Sequence, residues 1–109
     1  MLQPLLGSES SERVLIFILA RDEGYATEIA RFFKTDLYGI QKQLGKLESG
    51  SVLVSRTAGR TRLYTFNPRY PFLDQLLALL KKALSFYPDD TKERLLMNRR
   101  RPRRRGKPL

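Results

Sequence analysis

Four residues on one stretch of the chain have the chemistry for reading nucleic-acid bases. In residues 36–49, the apolar residues Leu37, Ile40, Leu44 and Leu47 recur at the spacing of an amphipathic helix and are expected to face the core. The opposite face carries Tyr38, Gln41, Lys42 and Gly45. An amide pairs with an adenine edge, a cation reaches guanine or phosphate, and a glycine lets a backbone approach closely. A helix that enters a DNA major groove needs these groups, although an ordinary solvated helix face can carry the same residues.

Basic side chains follow this helix. The sequence there alternates with period two on both sides of a turn at residues 58–60, which predicts a β-hairpin. Arg56, Arg60 and Arg62 lie near the tip of that hairpin, and residues 50–66 contain no acid. Because these arginines have no counter-ion within their own segment, the pattern predicts a contact with phosphate.

The net charge of +10 is distributed unevenly along the chain. Residues 31–69 hold eight basic and two acidic side chains, so the positive charge centres on the predicted helix and hairpin. A second basic group forms the tail, which consists of Arg99, Arg100, Arg101, Arg103, Arg104, Arg105 and Lys107 among few apolar residues. The charge indicates a polyanionic partner, and the tail composition predicts disorder unless it is bound.

The composition also argues against several classes of protein. The chain has no Cys and no His, which excludes disulfides, thiolate or imidazole metal sites and His-dependent catalysis. No paired carboxylates, glycine-rich phosphate loop or nucleophile–base pair occurs, so we expect neither an enzyme nor a bound cofactor or metal. The longest apolar run, residues 14–20, is too short to span a bilayer, which predicts a cytoplasmic protein without a membrane partner.

The remaining elements give the predicted architecture. Ser8 can cap a first helix, and a second helix follows after a short link, so that the second and third helices form a helix-turn-helix. The predicted fold class is therefore mainly α with a small β-hairpin (α+β). A three-helix core is followed by the two-stranded hairpin and then by a long helix. The predicted domain covers residues 1–88, and residues 89–109 form a short helix and the tail. The predicted elements are helices at 9–21, 26–33, 36–49, 72–86 and 90–99, and strands at 52–57 and 61–66.

This order of elements resembles the winged helix-turn-helix of ArsR-like and MarR-like transcriptional regulators, over about residues 7–84. The most specific part is I-Q-K-Q-L-G-K-L-E-S-G-S-V-L-V-S-R at residues 40–56, followed by G-R-T-R-L-Y at residues 59–64. These stretches resemble the family's V-S-R-x-L-x-x-L-x-x-x-G-L-V recognition helix and its G-R-x-x-x-Y wing. The family's usual Ser-Arg is Gln41-Lys42 here, so the family's preferred base sequence does not transfer, and its metal-sensing Cys and His are absent.

The resemblance implies a role for each group of residues. The base-facing positions are Tyr38, Gln41, Lys42 and Gly45. The phosphate-contacting positions are Thr27, Lys46, Arg56, Arg60, Thr61 and Arg62. Proteins of this kind pair through their first and last helices, which implies a dimer interface of Phe17, Leu73, Leu76, Leu77, Leu80 and Leu84. The leucine-rich face of the predicted helix at residues 72–86 can alternatively pack against the domain's own core.

The sequence therefore predicts a sequence-specific, DNA-binding transcriptional regulator, a repressor in its simplest form. It is expected to act on double-stranded DNA as a homodimer, with residues 36–49 in the major groove and residues 56–62 on the phosphate backbone. The alternative is a winged-helix module that binds protein or RNA, working with a partner enzyme or toxin. In that case the arginine tail holds an acidic partner.

Overall fold

The computed structural model describes the backbone of residues 1–99 and the side chains of residues 1–96. It confirms the predicted α+β class. Along the chain, four helices are followed by a two-stranded antiparallel sheet and then by two more helices. One element was not predicted, a single turn of helix near the amino end that is numbered α1. The elements are α1 (Gln3–Leu6), α2 (Glu9–Arg21), α3 (Ala26–Phe33), α4 (Leu37–Ser49), β1 (Leu53–Ala58), β2 (Thr61–Phe66), α5 (Leu73–Ser85) and α6 (Asp89–Arg99).

Helix α2 forms the centre of the core. The hydroxyl of Ser8 accepts a hydrogen bond from the amide of Ser11 at 3.1 Å and caps the helix, as the sequence predicts. Five consecutive residues, 14–18, are buried, so the helix contacts other elements on every side. Because α1, α3, α4, α5, α6 and β2 all pack against it, α2 fixes the positions of the elements that carry the functional side chains.

Helices α3 and α4 form the predicted helix-turn-helix. Lys34 ends α3 in the left-handed conformation, and the amide of Thr35 donates to the carbonyl of Ala30 at 3.0 Å. The carboxylate of Asp36 then accepts from the amide of Gly39 at 3.2 Å and caps α4. The turn between the helices is short because a local hydrogen bond closes the end of α3 and another closes the start of α4.

The inward face of α4 is mostly as predicted. Ile40 and Leu44 are buried in the core, and Leu47 packs against it. Leu37, which the apolar spacing also assigned to this face, is 37% exposed, so its assignment was wrong. Leu37 is the first residue of the helix, where its side chain lies at the edge of the core.

The hairpin that forms the wing has a tighter turn than its sequence indicated. Ala58 pairs with Thr61, so the turn contains only Gly59 and Arg60 and strand β1 ends one residue later than predicted. Gly59 has φ 65°, a conformation that glycine adopts at no steric cost. The register consequently places Arg62 opposite Thr57, on one face of the wing, with residues 56 and 63 paired on the other face.

A short bridge joins the wing to the link between α2 and α3. The amide of Gly24 donates to the carbonyl of Tyr64 at 3.1 Å, and the amide of Tyr64 donates back at 2.9 Å. A Cβ atom at position 24 would lie 3.0 Å from the ring of Phe17, so any larger residue would require this buried ring to shift, and glycine avoids that cost. The bridge fixes the wing beside the amino end of α3.

The structure also decides which side chains of α5 face the core. Leu80 and Ala83 are fully buried, and Leu76 and Leu84 pack against the core cluster. Leu80 and Phe17 each have 0% exposure, so the prediction that they form part of a dimer interface was wrong for these two residues. The core cluster of the protomer itself covers them.

Helix α6 is the last element that the structure describes. Arg99 is its final backbone position, and the rest of the predicted tail, from position 100 onward, lies outside the described residues. Within residues 1–99, no helix is long and apolar enough to cross a bilayer.

Candidate nucleic-acid interface

The predicted base-reading residues lie together on the exposed face of α4. Tyr38 is 68% exposed, and Gln41, Lys42 and Gly45 are exposed on the side away from the core. An added Cβ at Gly45 would meet no atom within 4 Å, so the helix surface is open at this point. The phosphate-contacting candidate Lys46 is exposed one residue further along the helix.

A cleft of about 340 Å³ lies between this helix, the amino end of α3 and the wing. It brings together five of the predicted contact residues, which come from three separate elements. These are Thr27, Gln41, Arg60, Thr61 and Arg62. Tyr25, Ala26, Leu44 and Tyr64 complete the lining of the cleft. Half of the sequence-predicted base and phosphate contacts therefore share one concave surface, and the other half (Tyr38, Lys42, Gly45, Lys46 and Arg56) do not line it.

The amino end of α3 lines part of this cleft. Tyr25 is the N-cap residue of α3 and makes no side-chain capping hydrogen bond to it. The first-turn residues Ala26 and Thr27 line the cleft beside it. Uncapped amides at a helix amino terminus, together with the helix dipole, form a favourable position for an anionic oxygen. Thr27 is exposed at the same point and can add its hydroxyl.

A short hydrogen-bond network holds Arg62 in place. Its guanidinium donates to the hydroxyl of Ser55 at 3.0 Å, and that hydroxyl donates to the carboxylate of Glu48 at 2.6 Å. Ser55 lies on β1, Arg62 on β2 and Glu48 near the end of α4, so the network joins both strands of the wing to the candidate recognition helix. Burial raises the pKa of the neighbouring Tyr64, and the negative charge of Glu48 raises it further.

Ser55 and Glu48 were not among the candidates from sequence. The period-two alternation places Ser55 and Arg62 on one face only if the register of the hairpin is known. The sequence offered only a weak indication of this network: Glu48, an acid at the end of the predicted recognition helix, lies a few residues before a strand that carries a basic side chain.

Arg56 differs from the other two arginines of the wing. Its guanidinium lies 3.4 Å from the carboxylate of Glu23, a residue of the link between α2 and α3. Arg56 therefore has a counter-ion, which comes from outside its own segment, so the absence of acids in residues 50–66 was no sign that Arg56 is unpaired. Arg60 has no ion pair within residues 1–96 and is exposed at the turn. The hydroxyl of Thr61 donates to the carbonyl of Ala58 at 2.8 Å and closes that turn.

No protein-family model and no curated protein matches the sequence. Solved structures resemble the fold. The apo C30AH42A mutant of Lactococcus lactis ZitR is 20% identical, with a TM-score of 0.54, over 83% of this chain and 76% of that one. The homodimeric winged helix-turn-helix DNA-binding domain of Mb0332 from Mycobacterium bovis is 24% identical, with a TM-score of 0.51, over 68% of each chain. The chain therefore has the winged helix-turn-helix fold.

Proposed function

We propose that this chain is a sequence-specific, DNA-binding transcriptional regulator. The observation that carries the proposal is the cleft in which Thr27, Gln41, Arg60 and Arg62 converge beside the exposed face of α4. In this arrangement α4 enters the major groove, where Tyr38, Gln41, Lys42 and Gly45 face base edges. The amino end of α3, Lys46 and the wing bind phosphates on either side of it.

The structure changes the expected set of phosphate contacts in one respect. Arg56 lies on the face of the wing opposite to Arg62 and is paired with Glu23, so we leave it out of the proposed interface. Thr27, Lys46, Arg60, Thr61 and Arg62 remain as the proposed phosphate contacts. The basic residues of the tail add sequence-independent attraction to the DNA backbone in this proposal.

The proposed active form is a homodimer that pairs through α5. Leu73 and Leu77 are one helical turn apart and stay partly exposed outside the core cluster. Leu77 also lines a cleft of about 470 Å³ that is partly apolar and partly polar; its other lining residues are Ile18, Leu19, Asp22, Thr65, Phe66 and Lys81. A second copy that covers this surface buries leucines worth about 1.5–3 kcal/mol each relative to exposure. Two copies would present α4 helices to successive major grooves about 34–36 Å apart, which predicts an inverted-repeat site.

The two structural neighbours bear on this proposal in different ways. Mb0332 is a homodimeric DNA-binding domain, which agrees with the proposed partner and assembly. ZitR is a zinc-responsive MarR family member. Since the present chain contains no Cys and no His, we do not extend a zinc response to it. A regulator that occupies promoter DNA excludes polymerase, so repression is the simplest proposed mode of action.

Selection from a pool of random duplexes tests the proposal directly. The full-length protein is incubated with the pool at physiological salt, and the retained duplexes are sequenced over several rounds. We expect an inverted repeat to be enriched, and the enriched duplex to compete at least about 10³-fold better than its scrambled version. Equal, weak retention of every duplex would contradict a sequence-specific regulator. Stronger retention of single-stranded or structured RNA than of any duplex would favour the RNA-binding alternative.

A further inference from the structure

A second cleft, of about 480 Å³, lies apart from the candidate DNA interface and shares no lining residue with it. It is formed by the first half of α2, the last residue of α3 and the link between α5 and α6. Its lining residues are Met1, Glu9, Glu12, Arg13, Phe33, Phe86, Tyr87, Pro88 and Thr91. The volume is within the range of about 300–1,000 Å³ that small-molecule sites occupy.

The cleft contains a buried carboxylate. Glu12 is 4% exposed and accepts hydrogen bonds from the hydroxyl of Tyr87 and the amide of Leu2, both at 2.6 Å. Burial acts to raise the pKa of Glu12, but these hydrogen bonds and the amino group of Met1 outweigh it, and the pKa is lowered. Glu12 therefore carries a negative charge in the interior at neutral pH.

Two cations lie near this carboxylate, and only one of them is paired with it. The guanidinium of Arg13 lies 3.4 Å from Glu9 and above the ring of Phe33, 5.7 Å from its centre. The amino group of Met1 lies 3.2 Å from the carboxylate of Glu12, donates to the side-chain oxygen of Gln3 at 2.7 Å and is partly exposed to solvent. An ammonium group thus already neutralises the buried carboxylate, at a position that solvent reaches.

The walls of the cleft are aromatic. Phe33, Phe86 and Tyr87 line it, and Phe86 is 68% exposed at the rim. The face of an aromatic ring attracts a cation, and an exposed ring favours contact with another apolar group. A carboxylate at the base and aromatic rings at the walls together recognise a cation that carries an apolar body.

We propose that this cleft binds a small organic ammonium ion. Its nitrogen replaces the amino group of Met1 beside Glu12, and its apolar body lies between Phe33 and Phe86. An aromatic carboxylate of the same size fits less well, because it brings a negative charge toward Glu9 and Glu12 while Arg13 is already paired. The occupant contacts Phe33, the last residue of the first helix of the helix-turn-helix, and Tyr87, which leads into α6.

Isothermal titration of the full-length protein tests this assignment without any DNA. The probes are 2-phenylethylammonium, 2-phenylethanol and phenylacetate, which share one ring and differ in charge. We expect the ammonium compound to bind at least about tenfold more tightly than the other two. Acetylation of the amino terminus removes the competing charge of Met1, so it should tighten binding further. Equal affinity for all three probes would overturn the proposal.

Two pairs of variants locate the binding. Phe86→Ala should weaken binding of 2-phenylethylammonium several-fold, whereas Phe72→Ala, which removes a ring of similar exposure outside the cleft, should not. Glu12→Gln should abolish the preference for the ammonium probe over 2-phenylethanol in protein that remains folded by circular dichroism. If Glu12→Gln unfolds the chain, the phenylalanine pair still decides the question. Identical affinities for Phe86→Ala and Phe72→Ala would place the ligand elsewhere and contradict the proposal.

Discussion

The guanidinium of Arg56 lies 3.4 Å from the carboxylate of Glu23, on the face of the wing opposite to Arg62. Two arginines that are equivalent in the sequence therefore have different surroundings. Arg62 is directed by Ser55 into the cleft beside α4, and Arg56 is neutralised on the far side. This difference provides a matched pair of arginines for testing the proposed interface.

The first prediction uses that pair. Arg62→Ala and Arg60→Ala should weaken binding to all duplexes alike and reduce the slope of log K against log salt by about 0.9 for each phosphate that the variant no longer binds. Arg56→Ala removes the same charge on the other face and should leave the slope nearly unchanged. Fluorescence anisotropy with one labelled duplex, titrated at several salt concentrations, measures all three. Equal changes in slope for Arg56→Ala and Arg62→Ala would show that the wing approaches DNA in another orientation.

The second prediction concerns the network that holds Arg62. Ser55→Ala removes the hydroxyl that accepts from Arg62 and donates to Glu48. We expect weaker DNA binding, by less than the loss in Arg62→Ala, because the guanidinium remains but is no longer oriented. In a double-mutant cycle, Ser55→Ala should have little further effect once Arg62 is alanine. Additive losses would mean that Ser55 acts on DNA binding independently of Arg62.

The third prediction concerns base recognition by α4. Gln41→Ala and Lys42→Ala should each lower the discrimination between the selected site and other duplexes by about 1–3 kcal/mol, the usual worth of one side-chain pairing with a base. Gln43→Ala is the control on the same helix, because its side chain accepts from the hydroxyl of Ser11 at 2.8 Å instead of facing the interface. Competition binding against single-base variants of the site measures the discrimination. A larger loss of discrimination in Gln43→Ala than in Gln41→Ala would remove the exposed face from its assigned role.

The fourth prediction concerns assembly. Leu77→Glu places a charge on the partly exposed apolar surface of α5 and should give a folded monomer that binds DNA poorly. Ala78→Glu introduces the same charge at the neighbouring exposed position and should remain dimeric. Light scattering at micromolar concentration gives the mass, and circular dichroism confirms the fold. Wild-type protein that is monomeric at this concentration would contradict the proposed homodimer.

The fifth prediction concerns the hydrogen bond from Tyr87 to Glu12. Burial raises the pKa of Tyr87 well above its usual range, and the bond to the Glu12 carboxylate raises it further. A pKa that is higher in the folded state stabilises the fold at pH values below the unfolded pKa of about 10, and this contribution is lost as the pH rises through the folded pKa. Tyr87→Phe should therefore lower the free energy of unfolding by about 1–2 kcal/mol at neutral pH.

The same variant should lose part of the alkaline dependence of stability. Wild-type protein is expected to become less stable above about pH 10, and Tyr87→Phe should show a smaller decline over that interval. Urea denaturation at about pH 7 and about pH 10.5, on either side of the unfolded pKa, measures both effects. Tyr70→Phe is the control, since its ring packs against Phe72 and its hydroxyl makes no hydrogen bond within residues 1–96. An unchanged free energy of unfolding in Tyr87→Phe would show that the bond contributes nothing.

Local features of the sequence determined the helices, the hairpin and the exposed face of α4. Ser8 and Asp36 are capping residues whose side chains bind the first-turn amides of their own helices, so they define these starts without any tertiary contact. The spacing of Ile40 and Leu44 likewise determined which face of α4 is buried, and hence which side chains are free to reach a ligand. The order and lengths of these elements were sufficient to indicate the winged helix-turn-helix fold.

Only the tertiary structure decided how residues of the same type differ in their surroundings, as the arginines of the wing and the leucines of α5 show. A turn of three residues would have made Arg56 and Arg62 cross-strand partners on the same face of the wing. The observed turn of two residues puts them on different faces, because a shift of one residue in the register moves every side chain of a strand to the other face. The leucines of α5 cover more of the helix than the core needs, so only packing shows that Leu80 is buried and Leu77 is not. The pairing of Glu12 with Tyr87 joins residues 75 positions apart, and no local pattern encodes it.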